Sequence, residues 1–83
     1  MTEHVLAEIE TRVQNALAAS PIYALRELRV ERLGAALCLQ GSVTSYYHKQ
    51  LAQEVARSLA GDVEVINSVA VSSESTRHAK SPP

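Results

Sequence analysis

Nucleophilic or metal-binding chemistry in this chain would start from one cysteine and three histidines: Cys38, His4, His48 and His78. Catalysis by a thiol needs a positioned base, and a structural zinc site needs cysteines and histidines in closely spaced pairs. These four residues are scattered over different predicted elements and have neither arrangement. We therefore predict no catalytic thiol, no metal site and no bound cofactor.

The other polar residues form no recognisable catalytic pattern. Paired carboxylates, a Ser-His-Asp arrangement and a glycine-rich phosphate loop are all missing from the sequence. Arg26, Arg29 and Arg32 recur at every third position, but on a strand this spacing divides them between two faces, so no phosphate clamp is predicted. The sequence thus favours a protein that is not an enzyme.

Charge and composition exclude several classes of partner. Eight basic and nine acidic residues give a net charge of −1, which provides no general attraction to nucleic acid or to an anionic membrane. The G-X-X-G loop of KH domains and the aromatic stacking platforms of RNA-binding domains are absent. No apolar run approaches the roughly 20 residues of a transmembrane helix. The first residues are acidic where a signal peptide would be basic, so we expect a cytoplasmic protein.

Two segments have the hydrophobic period of an amphipathic helix. The first extends from Thr2 to Ala19 and ends before Ser20-Pro21, because the residue before a proline avoids the α region. Its apolar stripe consists of Val5, Leu6, Ile9, Val13, Ala16 and Leu17. The second follows the two possible N-caps Thr44 and Ser45 and is closed by Gly61. Its stripe consists of Tyr47, Leu51, Ala52, Val55, Ala56 and Leu59.

Three segments alternate with the period of a strand. Leu28 and Val30 begin the first, Gly34 permits a turn, and Leu37, Leu39, Gly41 and Val43 form one face of the second. The third carries Val63, Val65, Val69 and Val71 on one face, and Asn67 interrupts it, where its side chain should bond to the backbone. Tyr23, which precedes the first strand, is expected to cover one end of the core.

The order of elements predicts an α+β fold of αββαβ type. With 83 residues the chain has room for one domain, which we place at residues 1–71. Two helices with one apolar stripe each fit a two-layer sandwich, in which both cover the same face of a three-stranded sheet. Residues 72–83 contain serine, threonine, charge and proline without apolar period, and we expect them to form a disordered tail.

The sheet face that the helices leave open is the candidate binding surface. Its predicted members are a mixed set of side chains with a small apolar spot: Arg29, Cys38, Gln40, Ile66, Ser68 and Ala70, with Glu31 beside them. Tyr46 is added to this surface because it falls on the polar side of the second helix, and exposed tyrosines favour interfaces. Tyr47 points into the stripe and is predicted to be core.

Two stretches have the pattern of a known module: G-S-V-T-S-Y-Y-H-K from Gly41 to Lys49 and G-D-V-E-V-I-N-S-V-A-V from Gly61 to Val71. The first resembles the strand-to-helix signature, and the second the closing strand, of the BON domain family, a group of small bacterial αββαβ modules. Asp62 replaces the valine that is usual after that glycine. The resemblance implies a non-enzymatic module, usually associated with the bacterial periplasm or cell envelope, that binds phospholipid surfaces or other proteins.

Two functions therefore remain open at the level of sequence. The first is interaction with a protein, including self-association through the open sheet face or a strand edge, which requires no net charge. The second is peripheral binding to a phospholipid surface, which the family resemblance implies. The acidic residues of the first helix oppose binding to anionic headgroups.

Overall fold

A computed structural model describes residues 3–72, and this part of the chain contains three helices and five short strands. The elements are α1 (Glu3–Ala18), α2 (Tyr23–Arg26), β1 (Arg29–Leu33), β2 (Ala36–Gln40), β3 (Ser42–Val43), α3 (Tyr46–Ala60), β4 (Val65–Asn67) and β5 (Ala70–Val71). The backbone N–H of Ser72 donates to the carbonyl oxygen of Val43 at 2.7 Å, which ties the end of this region to β3. Residues 73–83 of the predicted tail lie outside the described residues.

The sheet has the strand order β1-β2-β4 and is covered by helices on one side. β1 and β2 are antiparallel, whereas β2 and β4 are parallel because α3 connects them as a crossover. α1 packs against α3 and β1, and α3 packs against β4. The predicted α+β class and the two-layer arrangement are confirmed.

The core lies between this sheet and the two long helices, and it is aliphatic. From the sheet it receives Val30, Leu37 and Leu39, and the two leucines of the central strand have no exposed surface. From α3 it receives Ala52, Ala56 and Ala60, which recur every fourth residue and let the helix approach the sheet closely. The remaining buried members from α1 are Leu6, Ile9, Val13 and Leu17.

Gly41 divides the second predicted strand into β2 and β3, which is a correction to the uninterrupted strand expected from the sequence. Its φ of +129° lies in a region that side-chain-bearing residues rarely adopt, and a Cβ atom there would lie 2.8 Å from Leu28 Cδ2. The closing strand is divided in the same way into β4 and β5. The backbone N–H groups of Ser68 and Ala70 still donate to the carbonyls of Leu39 and Gly41 at 3.0 and 2.9 Å. The strands therefore change direction at Gly41 without losing their pairing.

A short helix, α2, lies where the sequence indicated only a connection. It buries Leu25, whereas Tyr23 is 68% exposed, so the prediction that Tyr23 covers the core is wrong. Arg26 belongs to this helix and not to a strand, and its Nε donates to the carbonyl oxygen of Ser20 at 2.8 Å. Four residues with one buried leucine give too short a pattern for a helical period to be recognised.

Two residues assigned to the helical stripes lie in solvent. Tyr47 is 65% exposed and Val5 is 38% exposed, although both were predicted to be core. The buried line of α3 passes through its alanines, so Tyr47 lies on the flank of the helix in its first turn. Ser45 is the N-cap residue, and its Oγ accepts a hydrogen bond from the His48 N–H at 3.1 Å. At the other end Gly61 has a φ of +63° but a ψ of −121°, so it does not adopt the left-handed helical conformation predicted for it.

Substitution of Gly41 should reveal how strongly the bend constrains the fold. We expect Gly41→Ala to lower the free energy of unfolding by about 2 kcal/mol or more, because its φ is strained for any side-chain-bearing residue and a Cβ atom would force the buried Leu28 side chain to shift. Gly34→Ala is the matched control, since Gly34 has a φ of +63° and no atom within 4 Å of an added Cβ. Its expected cost is about 1 kcal/mol. Urea unfolding of both variants measures the difference, and equal losses would contradict the role of the Leu28 contact.

Candidate binding surface

Within residues 3–72 no helix packs on one side of the three-stranded sheet, and we call this side the open sheet face. Along each strand its side chains alternate with those that point into the core, such as Val30 and Leu37. The register aligns them in rows across the strands. The members are Arg29, Glu31, Leu33, Ala36, Cys38, Gln40, Ile66 and Ser68.

Cys38 lies at the centre of the open sheet face and is flanked by Glu31 of β1 and Ile66 of β4. Its thiol lies 3.5 Å from Ser68 Oγ and accepts a contact from Gln40 Nε2 at 3.8 Å. These neighbours leave Cys38 only 5% exposed. The neighbouring side chains therefore shield the Cys38 thiol from contact with another molecule.

Leu33 is a member of this face that the sequence analysis missed. It is 59% exposed at the end of β1, opposite Ala36. The signal was present, because Leu33 continues the alternation of Arg29 and Glu31 on the same strand. With half-buried Ile66 it gives the open sheet face two accessible aliphatic side chains.

The other predicted surface residues are distributed as follows. The structure brings Arg29, Cys38, Gln40, Ile66 and Ser68 together on the open sheet face. Ala70 lies on β5, opposite Ser42 and beyond the bend at Gly41. Tyr46 is 62% exposed, as predicted, but it lies in the first turn of α3 in the helical layer. It is therefore not part of the open sheet face.

The arginines of the first strand are divided between two faces, as their spacing predicted. Arg29 lies on the open sheet face and is exposed. Arg32 lies on the helix side, where its guanidinium contacts Glu10 Oε1 at 3.2 Å and Glu3 Oε2 at 3.5 Å. Arg32 therefore fastens the start of α1 to β1, and the basic side chains of this strand form no common anion site.

Gln14 of α1 protects the outer edge of β1. Its Oε1 accepts from the Val30 N–H at 2.9 Å, and its Nε2 donates to the Leu28 carbonyl oxygen at 2.9 Å. These backbone groups point away from β2, and the side-chain amide occupies them as a neighbouring strand would. No sequence pattern identified Gln14, because this pairing depends on where α1 lies over the sheet.

Asn67 has the corresponding role at the opposite edge. Its Nδ2 donates to the Lys49 carbonyl oxygen at 3.0 Å and to Gln53 Oε1 at 3.2 Å, both on α3. Its Oδ1 accepts from the Val69 N–H at 3.2 Å. The N–H groups on either side of Val69 donate to the neighbouring strand, so the Val69 N–H points outward. The predicted backbone bonding of Asn67 is confirmed, and both edges of the sheet carry a side-chain amide.

Comparison with known proteins identifies the family. The family model "BON domain" matches residues 6–73. The chain belongs to the BON family. No curated protein matches it. BON domains are small binding modules, so the sequence resemblance and the binding class that it implied are confirmed at the level of the family.

This BON domain has no recognisable metal site within residues 3–72, since no three histidine, cysteine or acidic side chains there are grouped as metal ligands would be. In the same region none of the helices is both long enough and apolar enough to cross a lipid bilayer. The cytoplasmic location expected from the sequence remains a prediction, as does the envelope location that the resemblance implies.

The edge protection by Gln14 can be tested by stability. We expect Gln14→Ala to lower the free energy of unfolding by about 1–3 kcal/mol, because two backbone groups of this BON domain lose their partner. The exposed Gln50 of α3 provides the control, and Gln50→Ala should change stability by less than about 0.5 kcal/mol. Thermal unfolding measures the stability of both variants, and light scattering measures their aggregation. Equal stability of the two would show that the amide does not protect the edge.

The burial of Cys38 predicts slow modification of its thiol. A thiol reagent should label native protein more than about tenfold more slowly than unfolded protein, because labelling requires local opening of the face. The control is Ser42→Cys in a Cys38→Ala background, which places a thiol on an exposed position of β3. Labelling is followed by mass spectrometry. If both native thiols react at the same rate, the shielding of Cys38 is wrong.

Proposed function

We propose that this BON domain is a non-catalytic protein-binding module and that its open sheet face is the contact surface. The observation that carries the proposal is a side of the sheet without covering helices among residues 3–72, on which accessible Leu33 and half-buried Ile66 flank the small, buried Ala36 and Cys38. Flat surfaces with a small apolar centre and a polar rim are typical of non-obligate protein interfaces.

The distribution of charge supports a protein over an anionic membrane as the partner. Arg29 is followed on the same face by Glu31, and Arg32 is held on the other face by Glu3 and Glu10. A membrane surface is contacted most effectively by several basic side chains that face the same way. The basic residues of β1 point to opposite faces, and the acidic residues of α1 would repel anionic headgroups, so this arrangement is not present.

The amide side chains at the sheet edges make strand pairing with a partner less favourable than contact through the open sheet face. Exposed edges recruit other strands through their unpaired N–H and C=O groups. Here Gln14 occupies two of these groups on β1, and Asn67 occupies one beside β4. Strand addition at either edge would have to displace these side chains, whereas contact through the face would not.

Phospholipid binding is the second candidate, and one observation favours it. Tyr46 and Tyr47 are both exposed in the first turn of α3. Tyrosine rings have an apolar body and a polar tip, which suits the boundary between headgroups and acyl chains. This candidate uses the helical layer, so the two functions predict different sensitive residues.

Variants on the two surfaces distinguish the candidates. Proteins from an extract of the source cells are captured on immobilised wild type, Ile66→Asp, Leu33→Asp and Tyr47→Asp. We expect partners retained by wild type and by Tyr47→Asp to be lost from Ile66→Asp and Leu33→Asp, because a carboxylate is costly to bury in an apolar contact. Leu33 is exposed, so its variant should fold even if Ile66→Asp is destabilised.

Sedimentation with vesicles provides the opposing test. Zwitterionic and anionic vesicles are compared at low and at physiological salt, and we expect no pelleting of the wild type. Pelleting with anionic vesicles that salt reverses and Tyr47→Asp abolishes would replace the protein-binding proposal by the lipid candidate. Retention of the same proteins by all four immobilised chains would remove the open sheet face from consideration.

A further inference from the structure

Arg29 and Glu31 form a charge pattern that can complement itself. They lie two residues apart on β1, about 7 Å along the strand, and both side chains point to the open sheet face. Both are exposed, and neither has an ion-pair partner within 4 Å among residues 3–72. A surface that presents an unpaired positive and an unpaired negative charge in this order can pair with an inverted copy of itself.

We propose that the open sheet face binds a second copy of this chain in a weak, symmetric dimer. The inference rests on the proposed function, because it uses the same face, and it specifies the partner. The two sheets would face each other with a two-fold axis between them, perpendicular to the strands, so that each β1 runs antiparallel to the β1 of the second copy. Such an interface uses the same surface patch on both chains.

The charges select the register of this dimer. With the axis at the level of Val30, Arg29 faces Glu31 of the second copy, and Glu31 faces its Arg29. A shift of the axis by one residue, to the level of Glu31, would place the two Glu31 side chains against each other. Only the first register forms two ion pairs, and the repulsion in the second disfavours it.

The remaining strands accept the same register. The level of Val30 passes through Leu39 and Asn67, and the side chains of all three point toward the helices. No side chain therefore occupies the axis itself. Across the interface Cys38 would face Gln40 of the second copy, and the aliphatic Ile66 would face its small Ser68.

The small area of the open sheet face makes the proposed dimer weak. Three strands of about five residues cover a footprint of roughly 14 by 17 Å. A stable interface buries about 800 Å² on each partner. The open sheet face is smaller than this, so the dimer should form only at high concentration and should exchange rapidly with the monomer.

Charge reversal with full-length chains tests the register. Arg29→Glu and Glu31→Arg should each raise the dissociation constant of the homodimer by about tenfold, because both ion pairs become repulsive contacts. An equimolar mixture of the two variants should associate at least as strongly as wild type, since every contact in the mixed dimer is again between opposite charges. Sedimentation equilibrium at low salt, up to about 1 mM protein and with a reductant present, measures this.

A second pair of variants controls for general attraction between oppositely charged chains. Glu54 and Arg57 are exposed on α3, away from the sheet face. Arg57→Glu and Glu54→Arg change the net charge by the same amounts as the first pair. Their mixture should associate no more strongly than wild type. As a measurement without variants, amide shifts of wild type should change with concentration on β1, β2 and β4.

Each outcome decides the inference. The dimer is supported if association is restored in the mixture of Arg29→Glu with Glu31→Arg but not in the mixture of the two α3 variants. The amide shifts of wild type should then change with concentration on the sheet face. Equal association of both mixtures, shifts confined to the helices, or a wild type that stays monomeric overturns it. In the last case the proposed function stands or falls separately, because the capture experiment uses other proteins and different variants.

Discussion

The structure depends on the burial of one short aliphatic strand beneath two helices. Leu37 and Leu39 of β2 have no exposed surface, and each contributes about 2–3 kcal/mol by its removal from water. β2 is the central strand, so it pairs with β1 on one side and β4 on the other. Because these leucines require a cover, α1 and α3 both lie on their side of the sheet. The opposite face is left without a helix, and the candidate binding surface is a direct consequence of this arrangement.

Two amide side chains occupy backbone hydrogen-bonding groups at the two edges of the sheet. A sheet of three strands has two edges, and each edge exposes unpaired backbone groups. Gln14 reaches from α1 to the edge of β1, and Asn67 connects the opposite edge to α3. The same contacts that hold the helices on the sheet therefore discourage uncontrolled strand pairing. They leave the open sheet face as the surface available to the proposed partner.

The properties of that face explain why a transient interaction fits it better than a permanent one. Its centre is filled by Cys38, which its own neighbours cover, so a partner would gain little further burial there. Leu33 and Ile66 contribute the accessible apolar area. The opposite charges of Arg29 and Glu31 favour one orientation of a partner. A surface of this size selects partners by the position of charges more than by the area it buries. This relation between size and selectivity follows from the small number of elements within residues 3–72, whose helices cover only one face of the sheet.

Periodicity determined most of the fold. The two long helices, the alternation along each strand and the N-cap region before α3 all follow from local residue order. The break in alternation at Asn67 indicated a bond to the backbone, whereas its contacts with α3 depend on tertiary packing. So do the positions of Arg29, Cys38, Gln40 and Ile66 on one face, because side chains alternate along any strand. Only the tertiary structure revealed the bend at Gly41 and the close approach of Leu28 to it, because Leu28 belongs to another segment of the chain. The exposure of Tyr47, the burial of Cys38 and the reach of Gln14 to β1 also depend on distances between elements. Such distances arise when the elements pack, and no local pattern of residues encodes them.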